Sequence, residues 1–259
     1  MGISAKSGLI FVVLLVVVVV LGIVTWKTQP AESGAGSAPP SAWTAPKLPT
    51  QRTSAAPLPP GFPSMEFPPP MPTPKPGRPL MVPTKFGLSY AVPNSGDWSA
   101  SNSSVLGWSE GDELITVFGA AGRYDVGYCD AEDSEARARV GATGRNGVDI
   151  GTAARDEMNK AARIYGDEKT GRQPKVAIGA PVDFEISGRP AVRYTATVTD
   201  IPHADDCAPA KARFDVVATP GYASAEVMLF MVASNTGTSG DLSDAEIDRI
   251  IGSIQKTAE

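Results

Sequence analysis

Ala225–Ala233, AEVMLFMVA, is apolar at every position after Glu226. A strand with one wet face alternates apolar and polar side chains, whereas one covered on both faces reads as a continuous apolar run. The stretch predicts a central strand with other elements packed on both sides of its sheet.

Working outward, the chain supplies candidates for that cover. Ser243-Asp244-Ala245-Glu246 has the form of a capping box, and Ile247, Ile250, Ile251 and Ile254 follow at helical spacing. Upstream, Ile150, Ala154, Met158, Ala161, Ala162 and Tyr165 fall on one helical face. Asp149 is the candidate N-cap of that helix and Gly166 its candidate C-cap. The remaining apolar patterning has period two, as strands require. Phe214/Val216/Ala218 form one such run. Val182/Phe184/Ile186 and Val192/Tyr194/Ala196/Val198 form two more, joined around Gly188-Arg189-Pro190. Asp183, Glu185, Arg193 and three threonines occupy the opposite faces of that pair, which predicts a partly wet side. Glu113–Gly119 reads as a strand paired with Val105–Trp108 across Ser109-Glu110-Gly111-Asp112, and Leu88/Tyr90/Val92 as an opening strand ended by Pro93. Arg137–Gly141 is short and stays ambiguous. Consecutive strands with two helices predict an α+β fold, an antiparallel sheet with helices packed on it, over residues 86–259.

Ahead of this head the composition changes. Seventeen of the 24 prolines lie between Lys27 and Lys85. Proline lacks the donor that helices and sheets need and favours polyproline II, so 27–85 is expected to be a disordered, semi-stiff linker. Its reach lies between ~40 Å as a coil and ~170 Å extended. Earlier still, Gly8–Trp26 (GLIFVVLLVVVVVLGIVTW) carries no charge. As a helix it is ~28 Å long, close to the hydrocarbon thickness of a bilayer, which predicts a transmembrane helix after a short cytoplasmic tail, 1–7. A cleaved signal peptide would show small residues at an A-x-A-like site. Trp26-Lys27-Thr28-Gln29-Pro30 follows instead. A lipoprotein would need a cysteine just after the apolar run, and the only cysteines are Cys129 and Cys207. Lys6 and Lys27 nearly balance across the span, so charge alone leaves the orientation open. The cysteines and the linker favour a head outside the cell membrane.

The chain has a net charge of −5, divided unevenly. The linker has six basic residues against two acidic ones, while 86–259 has 16 against 26. An acidic head argues against nucleic-acid binding. A basic stalk suits anionic lipid or wall polymer, or is simply a solvated spacer.

Gly127-Tyr128-Cys129, Ala153-Ala154-Arg155, Pro174-Lys175-Val176, Asp206-Cys207 and the ending Leu242-Ser243-Asp244 with Ile250-Ile251-Gly252-Ser253-Ile254 give the head a further likeness. It resembles a family of membrane-tethered extracytoplasmic domains from actinobacteria, akin to LpqN-type lipoproteins and the PsbP-like fold. The resemblance covers about two thirds of the chain. It implies an antiparallel sheet flanked by helices, a PsbP-like sandwich, in a family without an assigned activity. PsbP-like domains are mostly accessory or binding modules. Here a membrane helix would replace the lipidated cysteine of the lipoproteins.

Three chemistries are legible. Cys129 and Cys207, both beside acidic loop-like sequence, are expected to form a disulfide in an exported head, the alternative being two reduced thiols in a cytoplasmic one. Two cysteines and one histidine do not make a structural zinc site. Gly107-Trp108-Ser109-Glu110-Gly111 matches G-x-S-x-G, and Asp149, Asp156 or Asp200 and then His203 follow in the order of a serine hydrolase. That motif needs a helix after the serine, whereas ELITVFG reads as a strand, so Ser109 is expected in a hairpin turn. A disulfide would also draw Asp130, Glu132, Asp133 and Glu135 toward Asp205 and Asp206, with His203 nearby. Arg137 and Arg139 would neutralise them, or a divalent cation such as calcium would sit weakly among the oxygens. The sequence thus predicts a non-enzymatic binding or accessory module of the cell envelope, held by one membrane span, with no cofactor. Its partner would be an envelope protein or wall polymer. A structural membrane-to-wall spacer and a hydrolase using Ser109 and His203 are the alternatives.

Overall fold

The structure is a computed structural model that describes residues 63, 65–202 and 207–258. The expected tail, membrane span and most of the linker lie outside the described residues. Among the described residues no helix is long and apolar enough to cross a membrane.

In chain order the strands before the first helix are β1 (Leu80–Pro83), β2 (Leu88–Val92), β3 (Trp98–Ala100), β4 (Val105–Glu110), β5 (Glu113–Val126) and β6 (Ala136–Arg145). Helices α1 (Ile150–Met158) and α2 (Ala161–Ile164) follow. Then come β7 (Lys175–Ile178), β8 (Val182–Ile186), β9 (Arg189–Thr199), β10 (Lys211–Pro220), β11 (Val227–Asn235), helix α3 (Asp244–Gly252) and β12 (Gln255–Lys256). All pairings are antiparallel. The main sheet runs β3-β5-β6-β11-β10-β9-β7, with β4 on β5 and β8 on β9, and a small sheet runs β1-β2-β12.

The apolar run is β11, and it lies between β6 and β10 in the interior of the main sheet. Met228, Phe230 and Val232 face a core closed by α3 and the small sheet, where Phe230 meets Tyr90 at 4.7 Å between ring centroids. Val227, Leu229, Met231 and Ala233 face a second core closed by α1 and Ala161. The α+β sandwich expected from that stretch is the observed fold.

Close packing makes one glycine decisive. A Cβ at Gly141 on β6 would lie 2.3 Å from the Phe118 ring and 3.0 Å from the Gly119 carbonyl. Phe118 is fixed between Trp108 and the sheet, so Gly141→Ala is expected to cost about 1–3 kcal/mol, read as a lower urea midpoint at unchanged slope. An unchanged midpoint would show that Phe118 has room to move.

The expected N-terminal caps are present. Asp149 accepts from Thr152 N at 2.9 Å, and the Thr152 hydroxyl holds its carboxyl below the usual carboxylate range. At α3 the capping box is complete: Glu246 N donates to Ser243 Oγ, and Ser243 N donates back to Glu246 Oε2 at 2.8 Å. The Ser243 hydroxyl, then its backbone N–H, lower the Glu246 pKa from 4.5. A depressed folded pKa contributes stability that is full above the unfolded value and lost as pH falls through the folded one. Glu246→Gln should therefore lose less of its Tm than the parent chain between about pH 6 and about pH 3. Parallel Tm curves would remove the capping carboxylate from the acid response.

Four expectations change. The helix expected to run unbroken to Tyr165 breaks at Asn159–Lys160, where Lys160 N bonds back three residues to Glu157 O at 3.1 Å. The tighter turn brings the Lys160 ammonium to the buried Glu157 carboxylate at 2.8 Å and keeps Ala161 in the core. Gly166 is not a left-handed cap: the Ala162 carbonyl and the Gln173 amide lie 3.0 Å from where its Cβ would be, so it is there for close approach. The β8–β9 turn is Ser187-Gly188, both at positive φ (51° and 75°), with Arg189 and Pro190 already in β9. That pair of conformations suits a two-residue hairpin. Finally, the folded region starts ahead of residue 86, because Leu80–Pro83 is an edge strand of the small sheet with Val82 fully buried. An edge position tolerates the donor that Pro83 lacks.

Two carboxylates are buried with their cations. Glu157 accepts from Arg145 and Lys160 at 2.7 and 2.8 Å and from the Thr116 hydroxyl, which pins α1 to the sheet. Asp215, fully buried on β10, accepts from Arg193, Arg213 and Thr195. The two arginines reach on to Asp248 and Asp244 of α3.

Candidate functional site

At one end of the sheet Cys129 and Cys207 are bonded, with Cα atoms 5.7 Å apart. The Tyr128 hydroxyl donates to the Cys207 carbonyl at 2.7 Å and accepts from Asn235 at 3.1 Å, while the Arg137 guanidinium lies 4.5 Å over the Tyr128 ring. Of the two expected neutralising arginines, Arg139 takes Glu135 at 2.9 Å. Arg137 instead pairs with Asp125 and Asp241 at 2.7 and 3.0 Å. Beside them is a cleft of about 320 Å³ walled by Trp108, Tyr165 and Pro209. Burial pushes the Tyr165 phenol far above its ordinary value. Because both arginines already have carboxylate partners, the cleft presents no unmatched charge. His203, Asp205 and Asp206 lie outside the described residues. Among those described, no group of three acidic, histidine or cysteine side chains could hold a metal ion.

Ser109 is exposed on β4, one residue past a register shift at Trp108/Ser109, and the chain turns at Gly111 straight into β5. The strand that follows is the expected one, so no strand-to-helix elbow pushes the serine outward. The candidate aspartates are otherwise engaged or solvated: Asp149 caps α1, Asp200 pairs with Lys175 at 2.7 Å, and Asp156 is exposed. The neighbouring Glu110 binds Arg163 at 2.8 Å.

The opposite end of the head holds a cavity of about 400 Å³. It opens where the β1–β2, β3–β4 and β10–β11 turns meet the middle of β5 and the end of β6. Phe118, Ala120 and Ala142 line it inside, Phe86 stands against one side, and Val105 and Val117 lie at its mouth, 64% and 40% exposed. A volume of this size is in the range of small-molecule sites, which are mostly apolar with a few polar groups that orient the ligand. Here those groups include Asn102, Thr143, Asn146 and Lys85, and among the described residues Lys85 is the only charged one lining the space.

Pro68 supplies part of the roof, on a strap of the proline-rich segment. At one end Ser224 holds the strap: its N–H donates to the Pro63 carbonyl at 2.9 Å, and its hydroxyl donates to the Met65 carbonyl at 2.6 Å and accepts from Met65 N at 2.8 Å. Ser224 does so at φ +64°, a conformation that costs a residue with a side chain. At the other end Asn102 donates to the Pro69 carbonyl at 2.6 Å, and Met71 packs on the core. None of these residues was singled out from sequence. One signal was available: Leu80-Met81-Val82 is an apolar run at the end of the proline-rich stretch, which would have moved the boundary forward.

No curated protein matches the chain. The solution structure of cyanobacterial PsbP (CyanoP) from Synechocystis is similar to it at a TM-score of 0.39 and 14% sequence identity, over 67% of this chain and 88% of that one. Residues 71–259 match the family described as Domain of unknown function (DUF8017), and with most of its length matched the protein belongs to that family.

Proposed function

We propose that the protein is a membrane-anchored, extracytoplasmic binding or accessory module of the cell envelope, and not an enzyme. The cavity under the proline strap carries the binding part of this reading, and the strand that follows Ser109, where a nucleophile elbow needs a helix, supports the non-enzymatic part. The uncharged run 8–26 and the basic, proline-rich stalk support a single span with the head outside. The Cys129–Cys207 bond supports an oxidising compartment. The finer kinship to actinobacterial LpqN-type and PsbP-like domains is part of the same proposal, supported by the motifs around the two cysteines.

The test is in-cell crosslinking of the full chain followed by mass spectrometry. Crosslinks from the head to an envelope protein or wall polymer are expected. Crosslinks confined to the stalk would favour a membrane-to-wall spacer instead. Stoichiometric labelling of Ser109 by a fluorophosphonate, lost on His203→Ala, would make the protein a hydrolase.

A further inference from the structure

We propose that the strap-roofed cavity takes the chain of a single-chain anionic amphiphile, with Phe67 and Pro68 closing over it and Lys85 meeting the headgroup. This rests on the reading of the head as a binding module and names the ligand class of its site.

Three features point this way. The first is the distribution of exposed apolar surface. Val105 and Val117 line the opening at 64% and 40% exposure, and Phe67, which precedes the lining residue Pro68, is 74% exposed. Scattered apolar residues on a surface need no explanation, but a group of them around an apolar cavity marks a place where something apolar docks. The second is charge. Lys85 is exposed, its ammonium lies 5.7 Å over the Phe86 ring, and the other described lining residues are neutral. A cation at the rim of an apolar space suits a carboxylate or phosphate on an apolar chain. A purely apolar ligand would leave it unused, and a polyanion would find no second cation in the lining.

The third is the hinge in the roof. The strap is tied at Met65 and at Pro69, and between those ties no hydrogen bond holds residues 66–68 to the head among the described residues. Pro68, Pro69 and Pro70 have no N–H to give, so the Pro69 end of this arch is held through a carbonyl, while the Met65 end is held through its carbonyl and its N–H on Ser224. It can lift without breaking a strand pairing. When it settles on a bound chain, the exposed Phe67 gains apolar contact. The competing candidate, the cleft beside the disulfide, has its arginines already matched by Glu135, Asp125 and Asp241.

The experiment uses the full chain in nanodiscs of a neutral phospholipid, with a diazirine-bearing palmitate as photoreactive probe and peptide mapping as readout. Label is expected on the strap and on β4–β5, and unmodified palmitate should compete it away. Val117→Trp plugs the mouth from an exposed position and should reduce labelling roughly tenfold at unchanged Tm. Phe67→Ala should reduce it several-fold. Lys85→Gln should weaken competition by palmitate but not by the matching alcohol, which separates the headgroup contact from the chain contact. Label confined to residues 8–26, or label that survives Val117→Trp, overturns the proposal. So does an absence of label together with a concentration-dependent dimer that Val117→Trp abolishes, which would assign the mouth to a second copy. Each of these leaves the binding-module reading to the in-cell crosslinks, which detect a partner wherever it docks.

Discussion

Asp215→Ala is expected to lower the stability of the head by about 3–5 kcal/mol, toward the low end for the reason given next. The carboxylate is fully buried, and both oxygens are occupied: Oδ1 takes Thr195 at 2.6 Å and Arg193 at 2.7 Å, and Oδ2 takes Arg213 at 2.8 Å. Removing it leaves two guanidiniums facing each other, Arg193 and Arg213, with side chains only 17% and 15% exposed. Asp248 still reaches both, and Asp244 reaches Arg213, so the charge is not wholly stranded. The contribution is also directional, because these arginines join β9 and β10 to α3. Loss of Asp215 should therefore loosen α3 before the sheet, visible as faster hydrogen exchange at Ile247–Ile251. Urea unfolding of Asp215→Ala and Asp215→Asn checks the magnitude, the asparagine being milder because it keeps an acceptor for Thr195. A triple replacement of Arg193, Arg213 and Asp215 by apolar residues of similar volume should recover most of the loss. A loss below about 1 kcal/mol for the alanine variant would show that water already solvates the arginines from the α3 side.

The same residues show what the sequence could and could not reveal. β11 was legible because a run that is apolar on both parities has one structural solution, and both cores meet on it. Asp149, Ser243 and Glu246 were legible because a cap is a local bond within three residues. Asp215 and Glu157 were not, since a carboxylate in a strand or helix reads as solvated until the cations that match it are placed, and Arg145 lies 12 residues from Glu157. The break at Asn159–Lys160 adds Lys160, three residues on, as a second cation on Glu157. β5 runs past Gly119, where the sequence suggested an end, because Ala120 at φ +48° forms an irregularity that bends the strand without stopping it. The cavity was least legible. Its wall comes from turns far apart in the chain, and its roof from a segment whose composition alone reads as a spacer. Prolines kept that segment out of the sheet, yet its carbonyls remained free to bind Ser224 and Asn102.

Reducing the Cys129–Cys207 bond is expected to destabilise the head by about 4 kcal/mol on the chain-entropy account, for a pair 78 residues apart in sequence. The loop it closes contains β6, α1, α2 and β7 to β9, so an unfolded chain without the bond gains the freedom of much of both cores. The folded side should change less. The Tyr128 hydroxyl still reaches the Cys207 carbonyl, Asn235 still holds Tyr128, and Arg137 still stacks on its ring. The reduced head should therefore keep its fold, and its lower stability should come mainly from faster refolding lost rather than from new opening at the sheet. Urea midpoints of the oxidised chain, the reduced chain and the Cys129→Ala/Cys207→Ala double variant separate the contributions, because the last has no thiols to rejoin. Equal losses for the reduced and double-alanine forms assign the effect to the crosslink. A loss only on reduction would assign it to burying a thiol at Cys207, and a midpoint unchanged in both would mean that the unfolded chain is already held compact across this loop. Tyr128→Phe in the oxidised chain is the control: it removes the hydroxyl alone and should cost about 1 kcal/mol, well short of the crosslink.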